Sequence, residues 1–219
     1  MTAPAVRVAL IHALAHSVDP VNREMAAAWP ACQRMNLLDD SLSADLARGG
    51  GVLDAAMTGR FLALADYAVG TGAHAILFTC SAFGLCIDAV ARRHAGLPVL
   101  KPNEAMVEEA AEAGGRVGLV ASFAPTLASM PTEFPAGLQV RSRLAAGALE
   151  ALERGDAAGH DERVAAAAEW LVREQGCAIV ALAQFSMARA RDVVSSRTGV
   201  PVLTTVASAV RLLRRRLGA

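Results

Sequence analysis

Short apolar runs alternate along this chain with longer stretches in which apolar residues recur every three or four positions. The pattern predicts strands over residues 5–12, near 32–38, 74–80 and 98–101, with helices over 52–70 and 83–95. In the first of these helices Leu53, Met57, Phe61, Leu64 and Ala68 share one face, and Gly70 and Gly72 mark its end. Most of the strand runs are continuously apolar instead of alternating. Strands of that kind, separated by helices, imply a parallel sheet covered on both faces.

The second half repeats this order, and the repeat is visible in the residues themselves. Ala75-Ile76 matches Ala178-Ile179, and Gly96-Leu97-Pro98-Val99-Leu100 matches Gly199-Val200-Pro201-Val202-Leu203, at an offset of 103 (178−75 and 199−96). Arg116-Val117-Gly118-Leu119-Val120 echoes Arg7-Val8-Ala9-Leu10-Ile11. The expected fold class is therefore α/β, with two pseudosymmetric lobes, each a parallel sheet flanked by helices. The first lobe spans residues 1–102 and the second 103–205, with a C-terminal helix over 206–219 available to complete the first. A helix from Asn103, which is placed to cap it, to Ala113 carries the chain between lobes. Residues 39–51 and 122–137 read as loops, the second with at most a helical turn, because the one ends in three glycines and the other contains three prolines.

Charge and composition narrow the partners. The chain of 219 residues carries Lys+Arg 21 against Asp+Glu 21, so no net field draws it to nucleic acid or to an anionic membrane. Arg211, Arg214, Arg215 and Arg216 crowd the last turns of the final helix, where they complement its dipole. Apolar residues make up 54%, yet no uninterrupted run reaches the roughly 20 residues needed to span a bilayer. The N-terminus enters a strand without signal-peptide features, so a cytoplasmic location is expected. A homodimer is the expectation from the general prevalence of such assemblies among soluble enzymes. Cys32, Cys80, Cys86 and Cys177 lie in separate segments and are expected to be reduced, without a metal-binding pair among them.

Ligands of parallel α/β sheets sit at the carboxyl ends of strands. The polar residues expected there are His12, Cys80, Ser81, Lys101, Asn103, Ser122, Gln184, Ser186, Thr204 and Thr205. Cys80 closes an apolar strand and opens the turn Ser81-Ala82-Phe83-Gly84, where a helix dipole would lower its pKa and favour thiolate. Such a thiol can act as base, proton donor or nucleophile, or it can simply be a small buried hydrophobe. Cys86 reads as packing; Cys32 and Cys177, at strand starts, read as inert. His12, at the end of the first strand, is either a base or a hydrogen-bonded strand-end residue. Gly49-Gly50-Gly51 lacks the Gly-Lys-Ser/Thr continuation of a phosphate loop, and Gly114-Gly115 precedes its strand, against a dinucleotide site. No carboxylate cluster completes a metal site around His12 and His16. Lys101, the only lysine, has no surrounding motif for Schiff-base chemistry.

The duplicated lobes, Thr79-Cys80-Ser81, the segment Gly118-Leu119-Val120-Ala121-Ser122-Phe123-Ala124-Pro125-Thr126 and the late Ala183-Gln184-Phe185-Ser186-Met187-Ala188 together resemble the aspartate/glutamate/hydantoin racemase superfamily. That resemblance spans essentially the whole chain. It implies an enzyme without cofactors, with its site in the cleft between two lobes, each lending a cysteine, acting next to a carboxylate or carbonyl of a small organic acid. It also implies that Ser81, Ser122 and Thr126 bind the substrate carboxylate; Asn103, otherwise a helix cap, and Ser186 are further substrate-binding candidates from their place at strand ends. The chain matches the first cysteine with Cys80 and departs at the second. The ungapped repeat puts Ala183 there, whereas aligning Ser186-Met187-Ala188 with the superfamily's Gly-Met-Ala puts Gln184 there. An uncharged glutamine is not a base, so a racemase or isomerase with Cys80 as its one thiol is expected, with His12 as the substitute base. An arylmalonate-type decarboxylase, with Cys80 protonating the carbanion, and a non-catalytic small-anion-binding protein are the alternatives.

Overall fold

The computed structural model describes residues 6–219. Ala5, where the expected first strand begins, lies outside them. The first half builds β1 (Arg7–His12), α1 (Val18–Ala28), β2 (Gln33–Leu38), α2 (Ser41–Arg48), α3 (Ala55–Gly70), β3 (Ala75–Phe78), α4 (Gly84–Arg93) and β4 (Val99–Leu100). The second builds α5 (Glu104–Ala113), β5 (Val117–Ala121), α6 (Ala124–Ser129), β6 (Val140–Leu144), α7 (Ala148–Glu153), α8 (Ala157–Gln175), β7 (Ile179–Leu182), α9 (Arg191–Thr198), β8 (Val202–Thr204) and α10 (Thr205–Leu217). Two four-stranded sheets result, ordered β2-β1-β3-β4 and β6-β5-β7-β8, with every pairing parallel. The chain divides into two compact units. One runs to Pro102 and includes Ala209–Ala219; the other is Asn103–Ser208.

Continuous apolar strands become the buried centre of each sheet. Val8, Ala9 and Leu10 of β1 have no exposed surface, and Val117, Leu119 and Val120 of β5 have none either. Burying such side chains stabilises the fold by about 1.5–3 kcal/mol for each large one. The covering helices turn their apolar faces to the sheets: Met57, Phe61, Ala65 and Ala68 in α3, and Val164, Ala165, Ala168 and Leu171 in α8. Asp54 starts α3 by accepting the Met57 N–H at 2.7 Å, so that helix begins three residues later than its first apolar residue, Val52, suggests. Gly176, at φ 63°, ends α8 in the left-handed conformation that favours glycine.

The two expected loops are largely helical. Residues 41–48 form α2, with Leu42 fully buried and Asp39 and Asp45 both bound by Arg60, at 2.5 and 2.6 Å. The spacing of Leu42 and Leu46 after Asp39-Asp40-Ser41 carries that helix signal, which Gly49–Gly51 obscures. In the second stretch Pro125 and Pro131 sit in the first turns of α6 and of a 3-10 turn over Met130–Glu133, where proline costs no hydrogen bond. Likewise Pro20 lies in the first turn of α1.

Candidate functional site

Within each unit the strand order reverses at one place, between β1 and β3 in the first and between β5 and β7 in the second. Connections leave in opposite directions there, opening a crevice at the carboxyl ends of the strands. In the first unit those ends carry His12 and Thr79-Cys80; in the second they carry Ser122 and Ala183-Gln184. Candidate residues thus cluster where the topology leaves room for a ligand.

The backbone ladder settles which residue of the second unit corresponds to Cys80. The Thr79 N–H donates to Ile11 O at 3.1 Å, and the Ala183 N–H donates to Val120 O at 2.9 Å. Thr79 therefore corresponds to Ala183, and Cys80 to Gln184 (184−80 = 104, one more than the sequence offset). Both have extended backbones, φ −129° and −131°, and both precede a 3-10 turn, Ser81–Phe83 and Phe185–Ala190. The same ladder pairs His12 with Ala121, since Asp39 N–H donates to His12 O as Ala145 N–H donates to Ala121 O. Ala13 then corresponds to Ser122. The two units carry complementary polar pairs: histidine and cysteine in one, serine and glutamine in the other.

Cys80 is held by its surroundings. Phe83, fully buried three residues on, packs its ring 4.8 Å from Phe61, which lies 5.3 Å from Phe78. The thiol is half-buried at the edge of a narrow crevice lined by Ile11, Ala13, Leu42, Phe61 and Phe78, together with His12. Burial pushes the thiol pKa up, and the hydrogen bond from the Ala82 backbone N–H recovers only part of that shift. The lowered pKa expected from a helix dipole is thus corrected. The 3-10 turn Ser81–Phe83 separates the cysteine from the first turn of α4, and desolvation is the larger effect on the thiol. The resting group is a neutral thiol.

His12 is fully buried, with Nδ1 3.0 Å from Thr79 Oγ1 and Nε2 3.0 Å from Asn36 Oδ1. The Asn36 oxygen can only accept, so Nε2 carries the proton, and the Thr79 hydroxyl lies between two acceptors, Nδ1 at 3.0 Å and Ile11 O at 3.4 Å. Burial lowers the His12 pKa, with the Asn36 bond opposing it. As placed, both ring nitrogens have partners within the fold, and burial favours the neutral imidazole. Thr79, which occupies Nδ1, is not among the site residues expected from the sequence; its only signal there is a polar residue closing an apolar strand.

Gln184 Oε1 accepts from the Ser122 backbone N–H at 2.6 Å and from the Ser122 hydroxyl at 3.0 Å. Ser122 and Thr126 are buried, Ser186 is half-buried and Ser81 is exposed. Thr126, Ser186 and Ser81 make no side-chain hydrogen bond among the described residues. Asn103 differs from expectation: it precedes α5 without capping it, and its Nδ2 instead donates to Glu133 Oε1 at 3.5 Å. Lys101 pairs with Asp88 at 2.7 Å. Thr204 caps α10 by accepting the Ala207 N–H at 3.1 Å. Cys32, Cys86 and Cys177 are buried, as packing residues are.

Comparison with known proteins gives a consistent family. The Asp/Glu/Hydantoin racemase family matches residues 19–213. No sequence among curated proteins is similar enough to match. Among solved structures, allantoin racemase from Klebsiella pneumoniae superposes with TM-score 0.73 at 18% identity, over 97% of this chain and 88% of its own. Glutamate racemase from Francisella tularensis in complex with D-glutamate gives 0.69 at 15%, over 98% and 81%. A glycine-to-cysteine mutant of arylmalonate decarboxylase, in a sulfate-associated form, gives 0.67 at 19%, over 97% and 94%. At these identities the likeness is one of fold.

Proposed function

The chain belongs to the Asp/Glu/Hydantoin racemase family, and from that premise we propose that it performs one-thiol carbanion chemistry on a small organic acid, with Cys80 as proton donor. The observation that carries this reading is Gln184 standing in the second unit where Cys80 stands in the first, and burial, which favours the neutral form of the Cys80 thiol, agrees with it. A neutral thiol can give a proton but not take one. In the step proposed, the S–H bond breaks, the proton forms a new C–H bond at the carbon next to the carboxylate, and the electron pair stays on sulfur. Water then reprotonates the thiolate.

The carbanion can arise in two ways. In a racemase- or isomerase-like reaction, the activity family membership supports, a base removes a proton from the same carbon. In a decarboxylase, the C–CO2 bond breaks and its electron pair stays on the carbon, so no base is needed. That second reading is favoured by the occupied ring nitrogens of His12 and the uncharged amide of Gln184. Both reactions proceed without a cofactor.

The test is a panel of α-chiral carboxylic acids and substituted malonates in deuterated water. Deuterium uptake at the α-carbon without carbon dioxide supports the isomerase; carbon dioxide with one deuterium per turnover supports the decarboxylase. Either activity should vanish in Cys80→Ala and survive weakly in Cys80→Ser. Full activity in Cys80→Ala refutes the role given to Cys80, and no turnover on any member refutes the proposal and leaves the anion-binding alternative.

A further inference from the structure

Ser122 and Gln184 bridge the switch point of the second unit, from the end of β5 to the end of β7. A backbone N–H can only donate, so the side-chain atom 2.6 Å from the Ser122 nitrogen must be the amide oxygen of Gln184. This fixes an orientation that is otherwise ambiguous for a glutamine. The Ser122 hydroxyl donates to the same oxygen at 3.0 Å. Both lone pairs of that oxygen are therefore engaged, and the amide cannot rotate without losing two bonds.

The other end of the amide is the end left over. Nε2 has no hydrogen-bond partner among the described residues, and it is not among the buried atoms sealed from solvent. Two donors on the oxygen polarise the amide and strengthen its N–H groups. The arrangement is a fixed, uncharged, two-proton donor at the carboxyl edge of the sheet. It fits an anionic or carbonyl oxygen. It is mismatched to an ammonium, which would set donor against donor.

We infer that Gln184 receives a carboxylate or enolate oxygen of the ligand through Nε2, and that Ser122 is a positioning residue which aims it. The inference rests on the small-acid reading above but not on the role of Cys80. It reassigns both residues: glutamine, expected in place of an acid–base group, binds oxygen, and serine, expected to touch the carboxylate, spends both its donors on glutamine. It also sets a substrate preference, for acids whose recognised group is an oxygen anion and not an α-ammonium.

The test uses the full chain carrying Cys80→Ala, so that turnover does not intervene. Side-chain amide resonances of Gln184 are followed by 15N NMR while malonate, phenylmalonate or 2-phenylpropionate is added, with benzylammonium as control. The expected result is a downfield shift of the Gln184 NH2 pair by at least one acid and none by benzylammonium. Ser122→Ala should weaken that acid by about tenfold, the loss of one hydrogen bond, while Ser122→Thr restores it. Gln184→Glu, checked for folding by circular dichroism, should abolish acid binding. Acid binding that leaves the Gln184 pair unmoved, or an unchanged affinity in folded Ser122→Ala, overturns the inference alone. Failure of every acid to bind overturns the inference together with the small-acid reading.

Discussion

Raising the pH across the thiol range separates a proton donor from an activated nucleophile. A free thiol titrates near about 8.5, so about 3% is thiolate at pH 7. Desolvation holds Cys80 above its ordinary value, with the Ala82 N–H opposing it, so its thiolate fraction at neutral pH is smaller still. No cation enters this balance. Site-resolved iodoacetamide labelling, read by mass spectrometry, should therefore rise about tenfold per pH unit from 7 to 8.5 with no plateau. Restricted access of the reagent slows labelling by the same factor at every pH, so the midpoint, which desolvation moves, is the quantity to measure. The same cysteine in denaturant provides the unfolded reference. A native midpoint at or below that reference would refute desolvation as the governing effect and return Cys80 to the role of base or nucleophile.

The same physics has consequences elsewhere in the chain. Burial raises the Cys32, Cys80 and Cys177 thiols, so their contribution to stability is complete below their unfolded pKa and is lost as pH rises through the native values; urea midpoints should fall on the alkaline side, and less steeply in Cys177→Ala. His12 is shifted the other way: its contribution is complete above about pH 6.5 and is lost as pH falls through the native value, and His12→Asn should flatten that acid limb in urea titrations. A Cβ at Gly118 would stand 3.2 Å from Leu171 Cβ and 3.3 Å from the Cys177 Sγ, so Gly118→Ala should cost about 1–3 kcal/mol by denaturant melting; an unchanged midpoint would show that α8 yields freely. Gln184→Cys should give the second unit the thiol it lacks and add α-proton exchange in deuterated water to whatever reaction the parent performs; absence of exchange in a folded variant counts against the missing thiol as the reason for one-proton chemistry.

Legibility in the sequence tracks the range of the forces involved. Strands are readable because burial on both faces demands unbroken apolar runs, as in Val8-Ala9-Leu10 and Ile179-Val180-Ala181. The α2 helix is less so, because Gly49–Gly51 hides the short signal of Leu42 and Leu46, and the Arg60 contacts to Asp39 and Asp45 from α3 are not local. The pKa direction of Cys80 escapes the sequence for a related reason: the turn is visible there, but the enclosure by Phe61, Phe78 and Leu42 is not. The repeat offset shows the same limit most sharply. Identical residues give 103, but the first unit has one more residue between β3 and β4 than the second has between β7 and β8 (99−76 = 23 against 202−180 = 22), so the register at β3 and β7 is 104. Only the ladder bonds of Thr79 and Ala183 make Gln184 the counterpart of Cys80. With that register the departure from a two-thiol pattern gains a physical content. Alanine at the position would have been a deletion; glutamine, held by Ser122, is a different functional group with its own geometry. The amide stands where the first unit has Cys80, and the serine that binds its oxygen stands where the first unit has Ala13, which offers no hydroxyl.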